Sequence, residues 1–384
     1  MKLNTHALRY LTADDWRVLT AVEMGSKNHE VVPTPLITKI SGLRAASGVN
    51  KAISMLAKSG LIAKVKNAKY DGYRLTYGGL DYLALHTLVK RKSAYSVGNQ
   101  IGIGKESDIY VVADDSGTQR VLKIHRLGRI SFRAVKNQRD YLRNRNSASW
   151  MYMSRLAATK EFAFMKLLYD NDFPVPRPIS QSRHCIIMEL IDSFPLRQVT
   201  DIADPPKLYS DLMDLILKFA AAGLIHGDFN EFNILVDEET QTPHVIDFPQ
   251  MISIEHPNAK EQFYRDVNCI KTFFQKKFRY TSDVDGPHWE DVKRTGALDA
   301  EVLASGFTKK MMKDLEKYMT EVAPLGTNDE DWDGSDDDDE DEDEQEDEEG
   351  DEDEEQEDVE HTERKGNTAG ETGLEKKVEE LKAS

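Results

Sequence analysis

His226-Gly227-Asp228-Phe229-Asn230-Glu231-Phe232-Asn233 runs directly into the apolar stretch Ile234-Leu235-Val236 and, after eight more residues, into Val245-Ile246-Asp247-Phe248. Two short strands are expected around a turn. A carboxylate and an amide five residues apart precede the first strand, and a second carboxylate ends the other, 19 residues after Asp228. Phosphoryl transfer needs such a set: one carboxylate near the nucleophile, and an amide and a carboxylate to hold Mg2+. Asp228, Asn233 and Asp247 supply each once. The plainer reading is three polar residues in an ordinary strand-turn-strand.

This is the spacing of a kinase catalytic loop and its metal motif, and the upstream sequence agrees. Ile101-Gly102-Ile103-Gly104-Lys105-Glu106-Ser107-Asp108-Ile109-Tyr110 reads as strand, glycine turn and strand. Gly102 and Gly104 let the backbone approach phosphates, with Lys105, Glu106 and Ser107 completing the turn. Ser107 stands where the kinase pattern has its third glycine. Alone, such a run is often an ordinary hairpin. Arg120-Val121-Leu122-Lys123-Ile124 then places a lysine within an apolar strand, where burial is costly without a partner. Lys123 is therefore expected to meet phosphate and an acid, and Glu161, on an expected helix, is the candidate acid. Cys185-Ile186-Ile187-Met188-Glu189-Leu190-Ile191-Asp192 lies where a hinge between lobes would be. Adenine would bond backbone groups near Glu189 and Ile191, with Met188 behind it; a structural strand without a ligand is the alternative.

The formal charge of the 384 residues is −18, but residues 329–360 alone hold 25 Asp and Glu and no Lys or Arg. The rest carries 50 basic against 43 acidic residues. The chain therefore reads as a mildly basic folded body with an acidic tail over 326–384, whose self-repulsion and scarcity of apolar residues predict disorder. The tail is read as a screen for the basic body, a recruiter of basic partners or a plain solubilising segment. Two cysteines, Cys185 and Cys269, exclude a disulfide scaffold and a cysteine-ligated zinc module. No apolar run is long enough for a transmembrane helix, and a soluble, intracellular protein without membrane partners is expected.

Residues 1–90 carry 13 Lys or Arg against 6 Asp or Glu. Asp14 is expected to cap a first helix, Pro33-Thr34-Pro35 to start a second that Gly42 ends, and Ser47 to cap a third that Gly60 closes. Strands over Leu61–Val65 and Tyr73–Tyr77 and a helix from about Gly79 to Arg91 follow. Three helices and a hairpin predict a winged helix-turn-helix over residues 1–92. Lys51, Lys58, Lys64, Lys66 and Lys69 would meet nucleic-acid phosphates, unless the module docks protein. Between Arg120 and Arg145 lie nine Lys or Arg and one acid, Asp140, with aromatic residues in and just after the segment. That mixture suits RNA, with a solvated loop as the alternative.

These motifs resemble those of the RIO atypical serine/threonine protein kinases, and the N-terminal domain points to the second subfamily, RIO kinase 2. The resemblance covers about residues 1–320, with Thr308–Met319 similar to that subfamily's C-terminal helix. It implies an α+β chain: the winged helix, a trimmed two-lobe kinase domain over 93–325 (N-lobe about 93–188, C-lobe about 192–325) and the tail. By matched position it makes Asp228 the catalytic Asp, Asn233 and Asp247 the metal ligands, and Lys123 the phosphate lysine. ATP and Mg2+ are the implied cofactors. The small ribosomal subunit precursor with its ribosomal RNA, and late assembly factors, are the implied partners. A monomer is expected, cytoplasmic with shuttling through the nucleus as a further option, that turns over ATP to drive release during late subunit maturation. A classical Ser/Thr protein kinase and a catalytically silent nucleotide-binding assembly factor are the alternatives.

Three departures from ordinary kinases bear on the acceptor. Gly227 replaces the arginine of regulated kinases, Pro249 replaces the glycine after Asp247-Phe248, and no Ala-Pro-Glu follows. Little sequence remains for a peptide-docking lobe. The γ-phosphoryl group is then expected to go to water or, transiently, to Asp247 as an acyl phosphate.

Overall fold

The computed structural model describes residue 3, residues 5–65, 71–104, 106–127 and 147–304, and residues 311 and 315. Residues Met1–Asp329 make one compact unit. The acidic tail, most of Thr308–Met319, most of the basic insertion, and Lys66, Lys69 and Lys105 lie outside the described residues.

The N-terminal domain begins with α1, Ala13–Gly25. Its cap is Thr12, not Asp14: Thr12 Oγ1 accepts the Asp15 N–H at 3.3 Å, and Asp15 Oδ2 accepts the Thr12 N–H at 2.8 Å. Two satisfied amides outweigh the equally suitable chemistry of Asp14. Helix α2, Thr34–Ser41, carries Pro35 in its first turn and ends at Gly42, whose φ is +64°. Helix α3, Ala46–Lys58, starts from Ala45 without a side-chain cap, so Ser47 falls inside it. Strands β1 (Val32–Pro33), β2 (Ile62–Val65) and β3 (Gly72–Leu75) form an antiparallel sheet in the order β1-β3-β2, the wing. Helix α4, Tyr77–Lys90, starts two residues before Gly79 because Thr76 Oγ1 accepts the Gly79 N–H at 3.1 Å.

Helix α4 belongs to two cores, which explains why it is apolar on nearly every side. Leu80, Tyr82 and Leu83 pack with Val18, Ile37 and Leu56 of the winged helix. Ala84, Leu85 and Leu88 pack with Tyr110, Leu122 and Ile187 of the next sheet. That junction also buries Arg126, whose guanidinium donates to Asp81 at 2.7 Å through both Nη atoms and to Asp108 at 3.1 Å through Nε. His184 meets Asp81 at 2.7 Å.

The N-lobe sheet is antiparallel, with β4 (Ser96–Ile103), β5 (Ser107–Ala113), β6 (Gln119–His125), β7 (Pro178–Ser182) and β8 (Cys185–Glu189) in the order β4-β5-β6-β8-β7. Helix α5, Ser147–Asp170, packs on it. The C-lobe holds α6 (Pro205–Ala221), α7 (Ala259–Lys277) and α8 (Leu298–Ala304). Its small sheets join β9 (Ser193–Pro195), β11 (Ile234–Asp237) and β12 (Pro243–Val245), and separately β10 (Leu224–Ile225) and β13 (Ile252–Ser253). Phe219, Phe229, Phe248, Phe263 and Phe274 are buried together in its core. Phe229 and Phe248 are the chain neighbours of Asp228 and Asp247, so the core itself positions both carboxylates. The architecture is the expected winged helix followed by a two-lobe, kinase-like body. No helix among the described residues is long and apolar enough to cross a membrane.

Candidate active site

Lys123 sits on β6 between Ile109 of β5 and Ile186 of β8, with its amine buried. Nζ donates to Glu161 Oε1 on α5 at 2.8 Å and to Asp247 Oδ1 at 2.9 Å. Burial alone would depress the amine's pKa, but the Asp247 and Glu161 charges outweigh it and hold the amine above the usual lysine range. Burial would likewise raise Glu161, yet Lys123 and His125 hold that carboxyl below the usual range. His125 Nε2 approaches Glu161 Oε2 at 2.8 Å, outside good hydrogen-bond geometry. Glu161 is thus hydrogen-bonded to Lys123 through one oxygen with His125 close to the other, and only the Lys123 contact was expected.

Asp228 follows β10 and is largely enclosed by amides. Oδ1 accepts from Asn230 Nδ2 at 2.9 Å, and Oδ2 from Asn233 Nδ2 at 2.9 Å and Gln250 Nε2 at 3.5 Å. Burial and the Asp247 charge raise its pKa, with Arg265 and the two asparagines opposing. The Asn233 amide nitrogen also donates to the Asp228 carbonyl at 2.9 Å, which leaves its carbonyl oxygen as the atom for a cation. Among the described residues no group of three His, Cys, Asp or Glu could hold a metal. One amide oxygen and the Asp247 carboxylate are too few for a protein cage but suit Mg2+ that keeps its phosphate and water ligands. Gly227 has φ +77°, and a side chain there would press on the Gln250 carbonyl. The missing arginine therefore reflects a backbone that favours glycine. Asp247 itself is left-handed at φ +70°, an uncommon state for a non-glycine residue. His226 is buried and its ring is pushed down to about 4, so the imidazole is neutral.

The residue that the sequence reading missed is Asp266 on α7. Its carboxylate accepts the Gly227 N–H at 2.9 Å and the Phe229 N–H at 3.0 Å, holding the catalytic loop on both sides of Asp228. It is 2% exposed, and burial pushes its carboxyl up to about 7. An acid in helical register with Phe263, Val267 and Ile270 was the available signal, since a charge on a core face needs a partner.

At the glycine turn, the Gly104 N–H donates to the Ser107 carbonyl at 2.7 Å and the Arg126 N–H to the Glu106 carbonyl at 2.6 Å. Gly102 lies one residue before the end of β4, and Ser107 opens β5. At the hinge, Met188 is buried between the lobes. The Glu189 N–H is taken by the Arg177 carbonyl at 3.0 Å and its carboxylate by the Arg177 N–H at 3.1 Å. The N–H groups of Leu190, Ile191 and Asp192 have no such partner among the described residues, so the hinge offers a short run of open amides.

Comparison with known proteins shows the family. The RIO domain family matches residues 108–286, and the family described as Rio2, N-terminal, matches residues 8–91. The serine/threonine-protein kinase rio2 of Schizosaccharomyces pombe is 62% identical over 324 residues, 84% of this chain and 93% of that one. RIO2 of Saccharomyces cerevisiae is 55% identical over 333 residues, covering 81% of this chain and 78% of that one. A crystal structure of the Rio2 kinase–ADP/Mg2+–phosphoaspartate complex from Chaetomium thermophilum superposes with a TM-score of 0.77 at 63% identity. It covers 84% of this chain and 99% of that one.

Proposed function

This chain belongs to the Rio2 branch of the RIO family of serine/threonine protein kinases, and from that premise we propose an ATPase-like cycle that passes through Asp247. It is an ATP-dependent phosphoryl-transfer enzyme. Lys123, steadied by Glu161, holds the phosphates, the glycine turn covers them and the Ile191 N–H receives adenine. Asn233 and Asp247 hold Mg2+, which when bound neutralises charge on the phosphates. The Asp247 carboxylate attacks the γ-phosphorus, the bond to the β-phosphate oxygen breaks, and ADP leaves. Asp228 orients a water and takes its proton as the P–O bond to Asp247 breaks, releasing inorganic phosphate.

The observation that carries this reading is the position of Asp247, on the Lys123 amine and close enough to Asp228 to raise its pKa. The phosphoaspartate in the Chaetomium thermophilum relative supports it. The test is γ-labelled ATP, acid quench and hydroxylamine. Label released by hydroxylamine and absent from Asp247→Asn is expected. Label that resists hydroxylamine and maps to Ser or Thr overturns the cycle in favour of a conventional protein kinase.

The same reading extends to where the enzyme works: on the small ribosomal subunit precursor, in the cytoplasm, as a monomer beside late assembly factors, with turnover driving release. Its support is the basic winged helix, with Lys51, Lys58 and Lys64 exposed, and the family resemblance. Binding of precursor RNA that is insensitive to salt would refute it.

A further inference from the structure

We propose that Arg265 is a catalytic residue: its guanidinium contacts the phosphoryl group as it leaves ATP. The proposal rests on Asp228 and Asp247 being the phosphoryl-transfer centre.

Charge balance is the first reason. Two carboxylates and a triphosphate share this cleft, and the transferring group spreads negative charge over three equatorial oxygens. Lys123 is already held by two acids. From His226 to Gln250 the chain has no lysine or arginine, so the catalytic loop supplies no cation. The groups around Asp228 from that stretch are the neutral amides of Asn230, Asn233 and Gln250. Among the described residues, Arg265 alone brings a positive side chain within ion-pair reach of Asp228, Nη2 lying 3.7 Å from Oδ1.

Placement is the second reason. Arg265 adjoins Asp266, which grips the loop amides on either side of Asp228. One helix therefore sets the loop and the cation together.

The third reason is how loosely the guanidinium is held. Among the described residues its other polar contact is Nη1 with Gln262 Oε1 at 3.4 Å, one turn back on α7, and the side chain is 52% exposed. Arg126, by contrast, is buried with bidentate 2.7 Å bonds to Asp81. The 3.7 Å gap to Asp228 is beyond a hydrogen bond, so Arg265 keeps donors for an oxyanion. As the bond between the γ-phosphorus and the β-phosphate oxygen breaks and the bond to Asp247 forms, those donors meet an equatorial oxygen. They meet it again when water displaces Asp247 and its proton passes to Asp228.

The test uses the full chain with Arg265→Ala and Arg265→Lys. Arg265→Ala is expected to lower kcat for ATP about 100- to 1,000-fold, with Kd for ATP within about threefold and an unchanged Tm. Millimolar ethylguanidinium should restore kcat saturably by at least about tenfold in Arg265→Ala, and not in Asp228→Ala. Arg265→Lys should fall between. A kcat within threefold of the natural protein overturns the proposal, and so does a loss of kcat that no alkylguanidinium restores. Phosphoenzyme is scored separately. If the natural protein forms no hydroxylamine-labile label, the Asp247 intermediate fails, while guanidinium rescue of phosphate release still decides the role of Arg265.

Discussion

Replacing Asp266 by Asn separates loop positioning from nucleotide binding. Asn keeps one acceptor oxygen for two donors, the Gly227 and Phe229 amides at 2.9 and 3.0 Å. Its NH2 group faces the other amide, and a buried N–H left unsatisfied costs about 1–3 kcal/mol. The loop then shifts, and a displacement of Asp228 by about 1 Å can cost roughly 100-fold in rate. We expect kcat to fall about 10- to 100-fold. Kd for ATP should be nearly unchanged, because Lys123, Glu161 and the hinge are placed by the N-lobe. Stability carries a second signature. The folded carboxyl is raised from 3.8 to about 7, so the folded state holds a proton that the unfolded state releases. Its contribution is full below about pH 4 and is lost as pH rises through about 7. The shift corresponds to at most about 4 kcal/mol. The amide in Asp266→Asn cannot titrate, so the variant's urea midpoint should lose this fall between about pH 4 and 7, and the two curves should converge or cross toward pH 8. Parallel curves over that window, or an unchanged kcat, would refute the assignment.

Asp228→Ala should abolish turnover while Kd for ATP, read with a fluorescent nucleotide, changes less than tenfold, about 1.4 kcal/mol. Lys123→Ala leaves Glu161 buried beside His125 alone; nucleotide binding should weaken and the urea midpoint fall by the equivalent of about 3–5 kcal/mol. Replacing Lys64, Lys66 and Lys69 by Ala should flatten the dependence of log K on log salt by about 2 for RNA, and an unchanged slope would move the contact off the wing.

Residues that act close together in the chain were legible in the sequence. Asp228 and Asn233 share one turn, and a five-residue spacing is a local fact that turn geometry preserves. Lys123 stood out because an apolar strand makes an unpaired lysine costly, although its partners lie 38 and 124 residues away. Helix caps were legible only as a class: Thr12 and Asp14 offer the same chemistry, and backbone geometry selected Thr12. The hinge position followed from its place between motifs. Which of its amides stays open depended on Arg177, which the fold brings against Glu189.

What the sequence by itself determined is the order of its elements and the identity of groups that cannot be buried cheaply, since periodicity and desolvation act residue by residue. Tertiary structure alone decided which of those groups meet. His125, Arg265 and the Asp81–Arg126–His184 cluster carry no local signature, because each owes its role to a partner on another element. The physical reason is that charge, once desolvated, is stabilised through space, and only packing sets distance through space.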